Sequence, residues 1–123
     1  MNLNQVTVPS RDIAESIAFY RLLGLRLIVE SPHYARFECP QGDATFSVHL
    51  TGECRPSDTL VYFEVDDVEQ TVAALQARGI CFTREPVREG WLWHESRLQD
   101  PSGNPLCIYT AGDNRKNPPW RIG

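Results

Sequence analysis

Glu95 and Arg97 are the residues of this 123-residue chain whose types and spacing are best suited to chemistry. Residues two apart on a strand share a face, so the two side chains would lie next to each other. The carboxylate of Glu95 could transfer a proton, and the guanidinium of Arg97 could bind an anionic group. The alternative is an ion pair that only fixes the sheet. Glu64 is a second candidate for proton transfer, and its alternative is a rim charge before a helix.

Aromatic and soft side chains form a second group of candidates. A planar ligand could stack on a group of five aromatic residues. The alternative is that these residues only pack against one another and the rest of the fold. These residues are Trp91, Trp93, Tyr34, Tyr62 and Tyr109. Arg36 could bind an anionic group or be a solvated strand residue. His49 could be a base or a metal ligand, or a polar wall residue, and Cys107 could be a nucleophile or a ligand, or a small buried hydrophobe.

Composition narrows the class of protein. Hydrophobic residues make up 41% of the chain, so we expect a core that needs no metal or disulfide. The formal net charge of −4 argues against nucleic acid as a partner, because phosphate binding needs clustered Lys and Arg. No apolar run approaches the ~20 residues of a membrane span, and no secretory signal is visible. The four cysteines contain no CxxC pair, so we expect reduced thiols and a cytoplasmic protein.

The chain repeats one pattern at an interval of 55 residues. An alternating apolar run opens each copy, an Asp starts a helix, and a Gly ends it. The paired positions are 5 and 60, 12 and 67, and 24 and 79. A repeat of this length is a supersecondary unit, and such units pack together to bury their apolar faces.

Hydrophobic periodicity predicts helices over 13–23 and 68–77. Three strand-like segments follow each helix: 25–30, 34–39 and 44–50, then 80–84, 91–99 and 105–110. Each copy therefore reads βαβββ, whereas a ferredoxin-like βαββαβ order has one strand too few between the helices. We predict a single α+β domain with a module 1–50, a linker 51–58, a second module 59–110 and a tail 111–123.

Alternation along the strands assigns a mixed polar and aromatic set of side chains to the face opposite the helices. The set includes Gln5, Ser47, His49, Tyr62, Glu64, Trp93, Glu95, Arg97, Cys107 and Tyr109. For segment 91–99 this holds if Leu98 lies under the helix, whereas a bulge would bring His94 out instead. Two such sheets curled together would enclose a cup with the composition of a small-molecule site.

Four passages carry a family resemblance. They are Asn4 to Pro9, Ser16 to Leu27 (SIAFYRLLGLRL), Val61 to Asp67 (VYFEVDD) and Asp100 to Leu106 (DPSGNPL). With the paired βαβββ plan, they resemble the glyoxalase, bleomycin-resistance and extradiol-dioxygenase superfamily, also called vicinal oxygen chelate proteins. The resemblance covers nearly the whole chain except the tail. It implies two βαβββ modules that form a curled sheet around a shared cup, with a divalent metal held by two His and two Glu or close substitutes.

Carried over position by position, the resemblance places the metal ligands on residues that suit a metal poorly. The positions are Gln5, Ser47, Leu60 and Cys107, with His49 in place of Ser47 if the alignment slips by two. Leu60 cannot coordinate a metal, Gln5 is a weak oxygen ligand, and Cys107 is a soft ligand suited to zinc or copper. Gln5, His49 and Cys107 would be the three ligands of a relocated site. Whether a divalent metal is bound stays open.

Two functions agree with the resemblance. One is a binding protein of the bleomycin-resistance type, which would hold a small planar or anionic molecule in an aromatic-lined cup. Its contact residues would be Gln5, Tyr34, Arg36, His49, Tyr62, Trp93, Arg97 and Tyr109. The other is a metal-dependent lyase, isomerase or dioxygenase with Glu95 or Glu64 as the proton-transfer group. In a third class, a structural or partner-binding module, the cup would be filled by its own side chains.

The resemblance also implies a homodimer. Two copies of the module can form one cup within a chain, or across a dimer by exchange of modules, and both arrangements stay open.

Overall fold

The computed structural model describes all residues, Met1–Gly123, and its strands and helices follow the order βαβββ twice. The first copy contains β1 (Gln5–Ser10), α1 (Ile13–Leu23), β2 (Arg26–Ser31), β3 (Tyr34–Glu38) and β4 (Thr45–Leu50). The second contains β5 (Val61–Glu64), α2 (Val68–Ala77), β6 (Arg84–Arg88), β7 (His94–Gln99) and β8 (Pro105–Thr110), followed by a short 3-10 helix (Gly112–Arg115). The predicted α+β class and the repeated βαβββ order are confirmed.

The chain divides into two compact units, each with one four-stranded sheet. Residues 1–59 and 100–104 form the first unit, and residues 60–99 and 105–123 form the second. The strand order is β1-β4-β3-β2 in the first sheet and β5-β8-β7-β6 in the second. In each sheet the first and last strands of the copy pair in parallel, and the remaining pairs are antiparallel. The predicted limits of the modules, linker and tail stay a prediction.

Both helices begin and end at the predicted residues because both carry strong local signals. The carboxylates of Asp12 and Asp67 accept a hydrogen bond from the backbone N–H three residues on, at 3.0 Å in each case. This satisfies a donor that the first helical turn leaves unpaired. Gly24 ends α1 in the left-handed region with φ of 110°, which a side chain would strain.

The core of each unit lies between one face of its sheet and its helix. In the first unit, α1 buries Ile13, Ile17 and Tyr20, and the strands bury Ala35, Phe37, Phe46 and Val48. In the second unit, α2 buries Val68, Val72 and Leu75, and the strands bury Leu98, Leu106 and Ile108. The opposite face of each sheet has no α-helix of its own unit against it, so its side chains form the candidate sites.

The turn between β7 and β8 belongs to the first unit by its contacts. Asp100, which is 4% exposed, accepts hydrogen bonds from the Tyr20 hydroxyl at 2.7 Å and from the Asn104 side-chain amide at 2.7 Å. Its other oxygen accepts from the backbone N–H groups of Ser102 and Asn104, both at 2.9 Å. The DPSGN passage is therefore a buried polar anchor, with four hydrogen bonds on one carboxylate.

Two strand predictions in the second copy are wrong in their limits. The strand predicted over 80–84 is β6, Arg84–Arg88, and it continues through Pro86. Proline lacks an N–H and is tolerated only at a bulge or an outer edge. Here β6 is the outer strand of the sheet, and its pairing with β7 shifts register between Arg84 and Val87.

The strand predicted over 91–99 begins only at His94. Residues 89–93 form the turn between β6 and β7, closed by backbone hydrogen bonds from Glu89 N–H to Trp93 and from Leu92 N–H to Glu89. Leu92 has a φ of 68°, the left-handed conformation that extended strands exclude. The aromatic and apolar residues of this segment favour a strand by composition, and no residue in it predicts the left-handed turn at Leu92.

Candidate functional site

The outward face of the second sheet combines β5, β7 and β8. Glu95 lies directly opposite Tyr109, and Arg97 opposite Cys107. Leu98 is buried at 1% exposure on the helix side, and His94 reaches Glu69 of α2 at 3.2 Å. The register is therefore the one that turns Glu95 and Arg97 outward, and His94 lies on the other face.

Glu95 is the centre of a polar cluster on this face. It is only 2% exposed, yet its carboxylate has partners on both oxygens. One oxygen accepts from Arg97 Nη2 at 2.7 Å and from the Cys107 thiol at 3.5 Å, and the other accepts from Trp91 Nε1 at 2.6 Å. A carboxylate held by three donors is committed to binding them, so the geometry favours a positioning role for Glu95 over proton transfer.

Arg97 is the more available member of the pair. Its side chain is 30% exposed, and one terminal nitrogen is bound to Glu95. Its Nε is buried and has no hydrogen-bond partner. An unpaired buried donor costs free energy, and the fork of an Arg can take a second planar anion.

Three aromatic rings pack beside this ion pair. The rings of Trp93 and Tyr109 are stacked, with centroids 4.7 Å apart and an interplanar angle of 20°. Tyr62 contacts both rings edge-on, at 5.7 Å and 5.4 Å, and remains 43% exposed. We name Tyr62, Trp93, Tyr109, Glu95 and Arg97 the aromatic face.

Cys107 and Leu60 support this face from below. Cys107 is fully buried, and burial together with the charge of Glu95 raises the pKa of its thiol to about 12. Metal binding and nucleophilic attack both require the thiolate. At neutral pH Cys107 is therefore a neutral packing residue that clusters with Tyr109, Leu60 and Trp93.

The raised pKa of Cys107 leads to a testable difference between the four free cysteines. Cys81 is exposed, so iodoacetamide at pH 8 is expected to modify Cys81 and to leave Cys107 unmodified. Because the folded pKa lies above the ordinary value, protection of Cys107 persists as the pH rises and is lost only near pH 12 or on unfolding. Peptide mass mapping measures this, with urea-unfolded protein as the control in which all four react. Rapid native labelling of Cys107 at pH 8 would contradict it.

Glu64 has a structural partner set. One of its carboxylate oxygens accepts from the backbone N–H groups of Ala111 and Gly112 at 2.9 and 3.0 Å, and the other lies 3.8 Å from Arg115. These contacts hold the start of the 3-10 helix after β8. The Trp93 indole N–H bonds the Asn114 carbonyl at 3.3 Å and attaches the same segment.

The outward face of the first sheet carries a different arrangement, a chain of hydrogen bonds. The Gln5 side-chain amide donates to the Ser47 hydroxyl at 2.6 Å, and Ser47 bonds the Tyr34 hydroxyl at 2.5 Å. Arg36 Nε donates to the same Tyr34 oxygen at 2.9 Å. The Thr45 hydroxyl donates to the Gln5 amide oxygen, which fixes the orientation of the amide. We name Gln5, Tyr34, Arg36, Thr45 and Ser47 the polar relay.

The structure therefore brings most of the predicted site residues together in two groups, and His49 and Glu64 belong to neither. Gln5, Tyr34 and Arg36 belong to the polar relay, and Tyr62, Trp93, Glu95, Arg97 and Tyr109 belong to the aromatic face. Ser47 does more than face outward as a poor metal ligand, because its hydroxyl links Gln5 to Tyr34. Thr45, for which the sequence predicts no role, orients the Gln5 amide. The alternation of β4 was the available signal, since it places both on the outward face with Gln5.

These residues do not fit the metal site that the family resemblance implies. Gln5 is paired with Thr45 across β1 and β4, whereas His49 is paired with Pro9, four residues further along. Four residues of strand span about 13 Å, which is far more than the separation of two ligands on one ion. Both ends of the Gln5 amide are already bonded. No group of three or more His, Cys, Asp and Glu residues is placed to hold a metal ion.

Comparison with known proteins gives one family and many similar folds. The model of the Glyoxalase/Bleomycin resistance protein/Dioxygenase superfamily matches residues 2–108. No curated protein matches the chain. No helix of the structure has the length and apolar character needed to cross a membrane.

Three solved structures illustrate the similarity of fold. A bleomycin resistance determinant encoded on the transposon Tn5 is 21% identical, with a TM-score of 0.77 over 91% of this chain and 99% of that one. A superfamily protein from Nocardioides is 20% identical, with a TM-score of 0.78 over 100% of this chain and 90% of that one. A lactoylglutathione lyase from Agrobacterium tumefaciens is 17% identical, with a TM-score of 0.77 over 94% and 96%.

Proposed function

Because the chain belongs to the glyoxalase/bleomycin resistance protein/dioxygenase superfamily, we propose that it binds a small planar anion on the aromatic face without metal chemistry. The observation that carries the proposal is the combination of stacked rings with a half-available guanidinium on one sheet face. Rings supply stacking area for a planar molecule, and the guanidinium supplies directional bonds to its charged group.

The exposed ring of Tyr62 supports the stacking part of this proposal. It stands edge-on to Trp93 and Tyr109, so the three rings form two perpendicular apolar walls. Its exposure of 43% leaves apolar area that a ligand ring would remove from water. Burial of apolar area contributes roughly 25 cal/mol per Å² to the free energy of binding.

A second arginine supports the anionic part of the proposal. Arg84 of β6 is the cross-strand partner of Arg97, and like charges in this position repel each other. Glu95 binds Arg97 at 2.7 Å and Glu89 binds Arg84 at 2.6 Å, so each cation has one carboxylate. An anionic ligand beside Arg97 would further relieve the repulsion.

The similar structures include a resistance protein and an enzyme, so their names favour neither a binding function nor a catalytic one for this chain. One is a bleomycin resistance determinant and another is a lactoylglutathione lyase. The poor fit of Gln5, His49 and Cys107 to a metal favours binding for this chain. The tightly bonded carboxylate of Glu95 does the same, because a general base needs a free oxygen near its substrate.

Arg97→Gln is the variant that tests the proposal. The probes are 4-nitrobenzoate and its neutral isostere 4-nitrobenzamide, with quenching of Trp91 and Trp93 fluorescence as the measurement. We expect the wild-type protein to bind 4-nitrobenzoate more tightly than 4-nitrobenzamide. Arg97→Gln should weaken 4-nitrobenzoate binding about tenfold or more, because hydrogen bonds to charged groups contribute about 1.5–3 kcal/mol to the free energy of binding.

Arg88→Gln is the matched control. Arg88 is exposed on the same β6 strand but pairs with His94, so its loss should leave both affinities unchanged. Equal affinity for the anion and the amide would contradict the proposal. So would a stoichiometric transition metal in the purified protein whose removal by EDTA abolished probe binding.

The proposal includes a cytoplasmic homodimer. Four free cysteines agree with a reducing compartment, and a dimer would give two equivalent sites. Light scattering coupled to size-exclusion chromatography measures the mass in solution, and a monomer of 14.0 kDa would contradict the dimer.

A further inference from the structure

The polar relay leads to a second site that is independent of the aromatic face. It lies on the first unit, and none of its members belongs to the site proposed above. Two of its residues, Gln5 and Ser47, occupy positions where the family resemblance expects metal ligands. Instead of converging on an ion, their bonds run in series toward one atom, the Tyr34 hydroxyl oxygen.

The direction of each bond in the relay can be assigned from its neighbours. Gln5 receives a hydrogen bond from Thr45 on its amide oxygen, so its nitrogen faces Ser47 and donates. Ser47 is fully buried, and Tyr34 is the acceptor available to its hydroxyl proton. Buried hydroxyl groups donate to a partner, so Ser47 donates to Tyr34.

The oxygen of Tyr34 therefore accepts two hydrogen bonds, one from Ser47 and one from Arg36 Nε. A phenolic oxygen has two lone pairs, and both are used. Its own proton has no acceptor within the protein, and Tyr34 is half-buried, so the O–H is free to meet a ligand. Two donors that withdraw electron density from an oxygen also make its proton a stronger donor.

Arg36 adds a positive charge beside this donor. It is exposed, its guanidinium lies 5.4 Å from the Tyr34 ring centroid, and only Nε is engaged in a hydrogen bond. The two terminal nitrogens of Arg36 have no partner in the protein. An oxygen atom with a negative charge could accept from Tyr34 while it lies next to Arg36.

We infer that Tyr34 and Arg36 form an oxyanion-binding site in which the Tyr34 hydroxyl donates the hydrogen bond and Arg36 supplies the charge. Gln5, Thr45 and Ser47 are positioning residues that act through Tyr34. The ligand group is a phenolate, enolate or carboxylate oxygen. Arg36 is the one charged member of the polar relay.

The pKa of Tyr34 provides a test that needs no ligand. Burial acts to raise this pKa, but the hydrogen bonds from Ser47 and Arg36 and the charge of Arg36 outweigh it, so the pKa lies below the usual value. Burial raises the pKa of Tyr62, of Tyr109 to about 12, and of Tyr20. Tyr34 should therefore be the first of the four tyrosines to ionise as the pH rises.

Alkaline titration of phenolate absorbance measures this ionisation. Tyr34→Phe should remove the earliest step, and Ser47→Ala should move it to higher pH because one donor is lost. Ser96→Ala is the matched control, since Ser96 is an equally buried serine that bonds the Ile108 carbonyl in the second unit. An earliest step that survives in Tyr34→Phe, or that does not move in Ser47→Ala, would overturn the relay.

Binding of 4-nitrophenolate tests the site itself, with uncharged 4-nitroanisole as the comparison probe. We expect Tyr34→Phe to weaken 4-nitrophenolate binding by about tenfold or more and to leave 4-nitroanisole unchanged. The affinity of the unchanged protein should fall as the pH rises through the ionisation of Tyr34, because the donor is lost. An equal loss for both probes, or no loss, would overturn the inference.

Arg36→Gln covers the case in which Tyr34→Phe fails to fold. Arg36 is exposed, so its loss should preserve the structure, raise the pH of the earliest ionisation and weaken 4-nitrophenolate binding. Arg97→Gln should leave the pH of the earliest tyrosine ionisation unchanged, because Arg97 lies in the second unit. The failure of this site and the failure of the aromatic face are therefore visible in different variants.

Discussion

Replacement of Asp100 by alanine is expected to lower the free energy of unfolding by about 4 kcal/mol, the largest effect we expect from one substitution. The carboxylate is 4% exposed and accepts four hydrogen bonds, two from side chains and two from the backbone. Alanine leaves the donors of Tyr20, Ser102 and Asn104 without an acceptor. Buried donors without a partner cost more than the loss of one hydrogen bond.

Urea unfolding followed by circular dichroism measures this effect, with Tyr20→Phe as the graded control. Tyr20→Phe removes one donor and keeps the ring in the core, so we expect a loss of about 1–1.5 kcal/mol. The loss of unfolding free energy in Asp100→Asn should fall between these two values. One carboxylate oxygen becomes an NH2 group, which cannot accept the hydrogen bonds that this oxygen accepts. If Asp100→Ala were no more destabilising than Tyr20→Phe, the turn would not be the anchor described above.

Glu95→Ala is expected to have the second largest effect, a loss of about 3 kcal/mol in the free energy of unfolding. The substitution leaves the Arg97 guanidinium partly buried without its carboxylate, and it leaves Trp91 Nε1 without an acceptor. Loss of one member of a buried ion pair costs more than loss of both, because the remaining charge is uncompensated.

The double variant Glu95→Leu/Arg97→Met separates the structural role of the pair from its role in binding. We expect it to recover stability to within about 1 kcal/mol of the unchanged protein, since apolar residues of similar size can replace a buried pair. Its binding of 4-nitrobenzoate should stay lost, because the guanidinium is absent. Recovery of stability together with recovery of binding would show that the pair only fixes the sheet.

The elements of this fold could be predicted from the sequence where the signal is local. Asp12 and Asp67 start the helices because each side chain accepts a hydrogen bond from the backbone N–H three residues later. Gly24 ends α1 by its left-handed backbone conformation. The strand limits at 80–84 and 91–93 could not be predicted from composition. They depend on the pairing of β6 with β7, where a register shift accommodates Pro86, and on the left-handed conformation of Leu92.

The candidate sites could be predicted in membership but not in role. Alternation placed Gln5, Ser47, Glu95 and Arg97 on outward faces, because a period of two depends only on strand geometry. The series of bonds from Gln5 to Tyr34 depends on which strands are neighbours and on the rotamers of three side chains. The hydrogen bond from Trp91 Nε1 to Glu95 depends on the conformation of the turn between β6 and β7, and residue spacing does not predict that conformation.

The proline in β6 also affects how this protein behaves at high concentration. An outer strand presents unpaired N–H and C=O groups on which another molecule can add a strand. Pro86 interrupts that row of donors, and the charged residues Arg84, Glu85 and Arg88 flank it on an exposed strand. Edge-to-edge addition along β6 is therefore disfavoured, which protects against sheet-mediated aggregation. A second copy of the chain would have to associate through some other surface than this edge.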